Sequence, residues 1–270
     1  MKPLVQRVVQ RAAGINWYCE VRGQGPPIVL IPSGEGDCGS FAKVADLLAG
    51  RYTVWTFDMP GFSRSGDPPT WDGFSWEMLS GQVAALVRTL EISKAAFYGC
   101  SSAGLVVLDL VADTPDLVVC GIVHEVALSR ENPWRSLLVT GFPDPDAVDA
   151  DELATVVGSV FRNGMNDNAE AWDGLGAEYH RRLRRNYGTW VRHYVPLVNR
   201  SYTRSELTRR PIVWTVGGFS PIWPFLSNFL TAQRVGIEIG LLHSKHFPQV
   251  SAPEELADHI DRHARAHVNV

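Results

Sequence analysis

The sequence predicts an α/β protein: a mostly parallel central sheet flanked by helices, with one purely helical insertion. Three observations carry that expectation. Short apolar segments alternate with amphipathic ones up to residue 127, stop doing so from 128 to 210, and resume afterwards. A serine flanked by tiny residues, Gly99-Cys100-Ser101-Ser102-Ala103, sits where an apolar run passes straight into a helical one. Alternation of this kind marks parallel strands joined by crossover helices. A chain of 270 residues can bury such a core and still carry a smaller appendage.

Taken in order, Asn16 to Glu20 and Pro27 to Ile31 read as strands joined through Arg22-Gly23-Gln24-Gly25. Phe41 to Leu48 reads as a helix, Val54 to Asp58 as a strand and Ser75 to Leu90 as a long helix. The apolar run Ala95 to Tyr98, the helix from Leu105 to Ala112 and the strand Gly121 to His124 follow. The helical insertion carries Leu153, Val156, Val157, Val160 and Phe161 at helical spacing within Asp149 to Arg162, and a second helix over Ala169 to Tyr187. Ile212 to Val216 and Ile237 to Leu242 are the last strands, and Pro253 to Ala266 is the closing helix. The expected division is a core of residues 1–127 and 211–270, with a helical cap at 128–210 after the sixth core strand. Such a cap would lie over the carboxyl edge of the sheet, where ligands bind in open α/β folds.

Composition excludes several classes. A net charge of −4 with scattered aromatics offers no basic patch for nucleic acid. No apolar run approaches the roughly 20 residues a bilayer demands. The N-terminal Met1-Lys2-Pro3-Leu4-Val5-Gln6-Arg7 lacks a signal-peptide core, so a cytoplasmic location is expected. Cys19, Cys38, Cys100 and Cys120 are too far apart for a zinc ribbon. His259, His263 and His267 share a helix face but read as solvated. Neither metal nor cofactor is therefore expected; the partner is a small molecule, and a homodimer is compatible with the sequence.

The serine turn carries the chemistry. A strand turning directly into a helix strains the central residue and presents its side chain, while residues two before and two after must be tiny. Gly99 and Ala103 meet that demand around Ser101, the candidate nucleophile, and the Ser102 amide is left at a helix N-terminus facing a developing oxyanion. Cys100 precedes the apex and points away from it. Among eight histidines, His246 is the candidate base: His246-Phe247-Pro248 followed by Pro253-Glu254-Glu255 resembles the stretch that opens the final helix in many α/β-hydrolases. Most of those place an acid after the seventh strand, but here Val216-Gly217-Gly218-Phe219-Ser220-Pro221 holds no carboxylate. A histidine that becomes imidazolium needs one, and Glu125, just after the sixth strand, is the nearest supply. In this fold the loop after the third strand, Pro32-Ser33-Gly34-Glu35-Gly36, supplies the second oxyanion amide, assigned to Gly34 beside Ser102. Asp58-Met59-Pro60-Gly61-Phe62-Ser63-Arg64-Ser65 reads as structural, with Asp58 and Arg64 fixing backbone near the site. Serine at the apex argues against epoxide hydrolases and dehalogenases, which need aspartate there.

These segments together resemble the fungal zearalenone lactonases. The likeness rests on the Asp58–Ser65 turn, Gly99-Cys100-Ser101-Ser102, His124-Glu125, Trp214-Thr215-Val216-Gly217 and Gly240-Leu241-Leu242 with His246-Phe247-Pro248. It extends into the cap at Glu170-Ala171-Trp172 and at Arg182-Leu183, Asn186-Tyr187 and Trp190. The resemblance implies an α/β-hydrolase fold and a Ser101–His246–Glu125 triad with the Gly34 and Ser102 amides as oxyanion donors. It also implies that Trp190 touches substrate, and that the activity is ring opening of the macrocyclic lactone zearalenone, a mycotoxin detoxification. Departures surround the pocket: Ser33 replaces an aspartate, Met165 replaces a smaller aliphatic residue, and Tyr194 is kept with His193 beside it. Ser33, Met165, Trp190, Tyr194 and Phe219 are the candidate substrate-binding residues, and Trp134, Phe161 and Trp223 are further aromatics suited to a flat apolar ligand. An esterase or lactonase for another substrate and a slow-turnover lactone receptor are the rival expectations. The receptor plan carries the aspartate that is missing here.

Overall fold

The computed structural model describes residues 3–133 and 141–267. Eight strands form one sheet: β1 Val5–Ala12, β2 Ile15–Arg22, β3 Pro27–Ile31, β4 Thr53–Phe57, β5 Ala95–Cys100, β6 Val118–His124, β7 Ile212–Gly217 and β8 Ile239–Leu242. Their order is β1-β2-β4-β3-β5-β6-β7-β8. Pairing is antiparallel from β1 through β2 to β4, and parallel from β4 onward. The helices are α1 Ala42–Leu48, α2 Trp76–Thr89, α3 Ser102–Asp113, α4 Ala150–Ser159, α5 Ala169–Asp173, α6 Ala177–Thr189, α7 Arg204–Leu207, α8 Leu226–Val235, α9 Pro248–Ser251 and α10 Pro253–His267.

The central strands are apolar because both of their faces are covered. All of β5 and nearly all of β6 are buried. One face packs Ile28, Leu30, Tyr98 and Ile122 against α1 and α10 through Val44, Leu48, Leu256 and Ile260. The other packs Val29, Phe97, Val123 and Trp214 against α2, α3 and α8, including Leu86, Val107 and Ala232. α2 is amphipathic, burying Trp76, Leu79, Val83, Leu86 and Val87, and starts where the Ser75 side chain accepts from the Met78 amide. α3 is apolar all round, as befits a helix sealed between sheet, α2 and α7. Its single buried acid, Asp109, accepts hydrogen bonds from Tyr202 Oη (2.9 Å), Arg200 Nε (3.1 Å) and Ser80 Oγ (3.1 Å).

Strand β1 lies outside the sequence reading, and the structure shows why. It is an edge strand that exposes most of Val5-Gln6-Arg7-Val8-Val9-Gln10-Arg11, so no clean apolar alternation marks it. Its hairpin turn places Ala13 and Gly14 at positive φ (50° and 79°). Alanine in that conformation is not a turn signal a sequence can announce. Helix α8 also lies outside the reading. The predicted single helix over 169–187 breaks at Gly176, whose φ of 92° admits no continuation, into α5 and α6.

A helical cap is inserted after β6. Its helices α4, α5 and α6 share an apolar cluster of Leu153, Val157, Phe161, Trp172, Leu183 and Tyr187, which continues into Phe247 and Val250 of the core. The cap is thereby seated on the segment that carries His246. Two π-helical turns, Val160–Met165 and Trp190–Tyr194, close α4 and α6. No described helix is long and apolar enough to cross a membrane. Among the described residues no His, Cys, Asp and Glu side chains are grouped to hold a metal.

The serine turn is steric in origin. A Cβ on Gly99 would lie 2.4 Å from the Ala103 carbonyl oxygen and 2.9 Å from the Gly104 amide nitrogen, both backbone atoms that cannot move alone. Gly99→Ala is therefore expected to destabilise the protein by about 1–3 kcal/mol. Thermal unfolding should report a Tm lower by roughly 2–10 °C; an unchanged Tm would show that the turn yields freely.

Candidate active site

β5 ends at Cys100, and Ser101 leaves it at φ 55°, ψ −124°, directly before the first residue of α3. That conformation is held from both sides. The Ser101 amide donates to His124 O at 2.9 Å, and its carbonyl accepts from the amides of Gly104 (3.0 Å) and Ala127 (3.1 Å). Strain at a single residue persists only where its surroundings over-determine it, and here the end of β6 does so. Ser101 itself is half-buried, while Ser102, at the first turn of α3, has an amide with no intrahelical acceptor.

Glu125 follows β6 immediately and also sits at positive φ (44°). Its amide donates to Thr215 O at 2.9 Å, which locks the turn onto β7. One carboxylate oxygen, Oε1, accepts the Gly217 amide at 2.8 Å; the other, Oε2, accepts from His246 Nδ1 at 2.6 Å. The Ser220 hydroxyl donates to the same carboxylate. Burial by itself would push the Glu125 carboxyl up, but the His246 hydrogen bond and charge, helped by Ser220, hold it below the ordinary carboxylate range. The loop after β7, which has no acid of its own, thus supplies donors to an acid from β6.

His246 is almost fully buried, its ring stacked on Phe225 with centroids 5.2 Å apart and planes 20° from parallel. Its carbonyl accepts the Cys100 thiol at 2.9 Å, so Cys100 is buried and committed behind the turn. A neighbouring histidine steadies the loop. His124 is completely buried, and burial pushes it down to about 4, so it is neutral at physiological pH. Nε2–H then donates to Lys245 O (3.2 Å), and Nδ1 accepts from the Thr215 hydroxyl (2.9 Å). Behind Glu125, Asn228 Oδ1 accepts from the Val126 amide and Trp214 Nε1, both at 2.8 Å, and its Nδ2 donates to Val126 O. Ser220 and Asn228 carry no motif. What identifies them is their packing around Glu125, which a sequence does not display.

Gly34 lies in a turn closed by Gly36 N–H donating to Ser33 O at 3.0 Å, with Ser33 buried. The Trp190 indole lies directly on Gly34: a Cβ there would be 2.6 Å from Trp190 Nε1. Trp190 in turn packs edge-on against Phe142 (4.8 Å) and Phe161 (5.1 Å). Met165 is half-buried at the end of the first π-helical turn, against the cap's apolar cluster. Tyr194 is buried in an aromatic nest with Phe62, Trp71, Phe74 and Trp76, and its hydroxyl donates to Pro60 O at 2.8 Å. Phe219, after β7, is 56% exposed. Trp134 lies outside the described residues. The geometry thus brings Ser101, Glu125, His246, Gly217 and Ser220 to one sheet edge, with Trp190 on Gly34 above, while Tyr194 packs on the core side and Phe219 faces outward.

The turn after β4 and the cap meet on two buried carboxylates. Asp58 accepts from the Cys38 amide (2.9 Å), the Arg64 amide (3.1 Å), Arg64 Nε (2.7 Å) and Arg64 Nη2 (2.9 Å). Asp37 accepts from Ser63 Oγ (2.7 Å), Arg64 Nη2 (3.3 Å) and, from α6, Arg182 Nε (2.5 Å) and Nη2 (3.1 Å). Burial would raise the Asp37 carboxyl; the Arg182 hydrogen bonds, the Arg64 charge and Ser63 bring it below the ordinary value.

A family description headed alpha/beta hydrolase fold matches residues 26–218. A zearalenone hydrolase of Bionectria ochroleuca is 33% identical over 261 residues, covering 94% of this chain and 96% of that protein. A zearalenone hydrolase of Cladophialophora bantiana is 38% identical over 252 residues, 92% of each chain. Among solved structures, a putative acyltransferase from Salmonella enterica superposes with a TM-score of 0.77 at 19% identity, over 97% of this chain and 96% of that one.

Removing Arg182 leaves Asp37 buried with Arg64, Ser63 and the Gly39 amide. Arg182→Ala is expected to destabilise the protein by about 1.5–3 kcal/mol at neutral pH, the range for hydrogen bonds to a charged group. A carboxyl held below its unfolded value stabilises the fold above that unfolded value, about 3.9, and loses this as pH falls through the folded one. Less depressed in the variant, Asp37 should shift the acid-unfolding midpoint to higher pH. Fluorescence-monitored acid titration that superimposes the variant on the parent would refute the cap–core role of this pair.

Proposed function

The chain belongs to the zearalenone hydrolases of the alpha/beta hydrolase fold and is a carboxylic-ester hydrolase, and we propose that it opens the macrocyclic ester of zearalenone and related resorcylic acid lactones through Ser101, His246 and Glu125. The observation that carries this reading is the 2.6 Å contact from His246 Nδ1 to Glu125 Oε2, an imidazole held by a buried carboxylate beside a strained serine. Its tautomer follows: Nδ1–H is donated to Glu125, so Nε2 is free to accept a proton.

In the proposed reaction Ser101 Oγ attacks the lactone carbonyl as His246 Nε2 takes its proton. The developing oxyanion is received by the Gly34 and Ser102 amides, each worth about 2.7–4 kcal/mol of transition-state stabilisation in such sites. Glu125 stabilises the imidazolium, and the Gly217 amide and Ser220 hydroxyl keep that carboxylate ionised and aimed. His246 returns the proton to the departing alkoxide, which opens the ring while both ends stay on one molecule. Water, deprotonated by His246, then attacks the acyl-enzyme and releases the acid, and Ser101 recovers its proton. The freed dihydroxybenzoic acid loses carbon dioxide without the enzyme. Trp190, lying over Gly34, presents an aromatic face to a flat substrate at the carbonyl.

Incubation with zearalenone and α-zearalenol, followed by mass spectrometry, is expected to show many turnovers to a product heavier by one water and lighter by one carbon dioxide. Ser101→Ala should abolish this. Glu125→Gln, which keeps size but not charge, should lower kcat by about 10³–10⁴-fold with little change in KM. Intact zearalenone alongside rapid hydrolysis of a simple nitrophenyl ester would keep the catalytic residues and discard the substrate, and point to Ser33 and Met165. Full lactonase activity in Ser101→Ala would sink the mechanism.

A further inference from the structure

Glu35 is a buried acid that the proposed mechanism does not use. It follows Gly34 in the turn closed by Gly36 N–H and Ser33 O, and is 1% exposed. Oε1 accepts from Ser40 Oγ at 3.0 Å and from Gln249 Nε2 at 3.2 Å. Its backbone carbonyl accepts from Asn186 Nδ2 of α6 at 2.8 Å. Gln249 lies three residues beyond His246, in α9. One residue therefore joins the Gly34 turn, the cap and the segment bearing the candidate base. Oε2 has no partner among the described residues, nor have Gln249 Oε1, Tyr98 Oη and Tyr179 Oη.

We propose that Glu35 is a positioning residue for hydrolysis: through Ser40, Gln249 and Asn186 it clamps the turn carrying Gly34 to the segment carrying His246 and to cap helix α6. This rests on the reading of Ser101, His246 and Gly34 given above. The clamp works with an uncharged carboxyl. Burial pushes the Glu35 carboxyl above its ordinary value, against the opposing pull of its own backbone, Ser40, Gln249 and the His246 charge, and among the described residues its side-chain hydrogen-bond partners are the neutral Ser40 and Gln249. The protonated acid brings an O–H to a pocket whose orphaned atoms include an acceptor, Gln249 Oε1. Deprotonation would place a further buried anion next to the oxyanion site, opposing the charge that develops there.

Other titratable groups face Glu35. From β5, Tyr98 and Cys100 are pushed well above their ordinary values by burial; so is Tyr179 from α6, and burial pushes Tyr187 up as well. Asp37, on the same loop, is held down and ionised throughout. His246 faces Glu35 from the base segment.

The test is the pH dependence of kcat and KM for 4-nitrophenyl butyrate, measured on the full chain, with Ser101→Ala as reference. Glu35→Gln retains the acceptor for Ser40 and Gln249 and cannot ionise. It should lower kcat only a few-fold at neutral pH and lose the alkaline fall expected of the parent. Glu35→Leu removes the clamp and should lower kcat roughly ten- to a hundredfold with KM within about twofold, as misplacement of one element of a site does. An alkaline limb in Glu35→Gln that superimposes on the parent's, or a kcat for Glu35→Leu within threefold of the parent's, overturns the proposal. Should Glu35→Leu not fold, the Glu35→Gln profile decides. Hydrolysis that persists in Ser101→Ala would overturn the reading of the site, and this proposal with it, and so is distinguishable from failure of Glu35 alone.

Discussion

The arrangement at the sheet edge depends on one buried carboxylate. Glu125 receives the His246 imidazole, the Gly217 amide and the Ser220 hydroxyl, while its own amide is fixed on β7. An ionised carboxylate in a sealed site must be paired or it would take up a proton instead. Each of these donors is thus a condition for its charge. Parallel pairing of β6 with β7 delivers the carboxylate, the amide and the hydroxyl to the same edge without a long loop. The positive φ of Glu125 turns its side chain back across that edge. Strain at Ser101 and strain at Glu125 are two halves of one construction, because the Ser101 amide bonds the carbonyl of the residue just before Glu125.

A second layer joins this edge to the cap. Asp37 and Asp58 share Arg64, and Arg182 reaches Asp37 from α6. Buried ion pairs of this kind add little net stability over apolar packing, yet removing one partner is expensive, so they specify an arrangement more than they strengthen it. What they specify here is the seat of α6 over the Gly34 turn. Asn186, four residues after Arg182 and on the same helix face, bonds Ser63 and Glu35 O. Trp190, four residues further, lies on Gly34. One face of one helix therefore sets the ion pair, the turn and the aromatic wall in sequence.

Four buried acids, Glu35, Asp37, Asp58 and Glu125, lie around the Gly34 turn and the serine, in different surroundings. Asp37 and Asp58 meet arginine, Glu125 meets histidine, and Glu35 meets only neutral donors. The same side-chain chemistry thus serves as counter-ion, as orienting group and, in the proposal made here, as an uncharged clamp.

The sequence by itself determined the fold class, the serine turn and the insertion, because each is a local matter. Strand–helix rhythm needs only periodicity, and Gly99 is demanded by backbone atoms within five residues of it. The absence of a carboxylate from the loop after β7 and the presence of a glutamate after β6 can also be read from the chain. Strand β1 was not, because an edge strand with one solvated face and an Ala13-Gly14 turn leaves no apolar alternation. Tertiary structure alone decided which neutral groups surround Glu125, that Tyr194 packs its ring on the core, and that Glu35 is sealed between three elements. Those facts depend on residues more than 90 positions apart, such as Glu125 with Gly217 or Glu35 with Asn186 and Gln249. Burial, which sets the charge a carboxyl can hold, is a property of the packed chain and not of its neighbours in sequence.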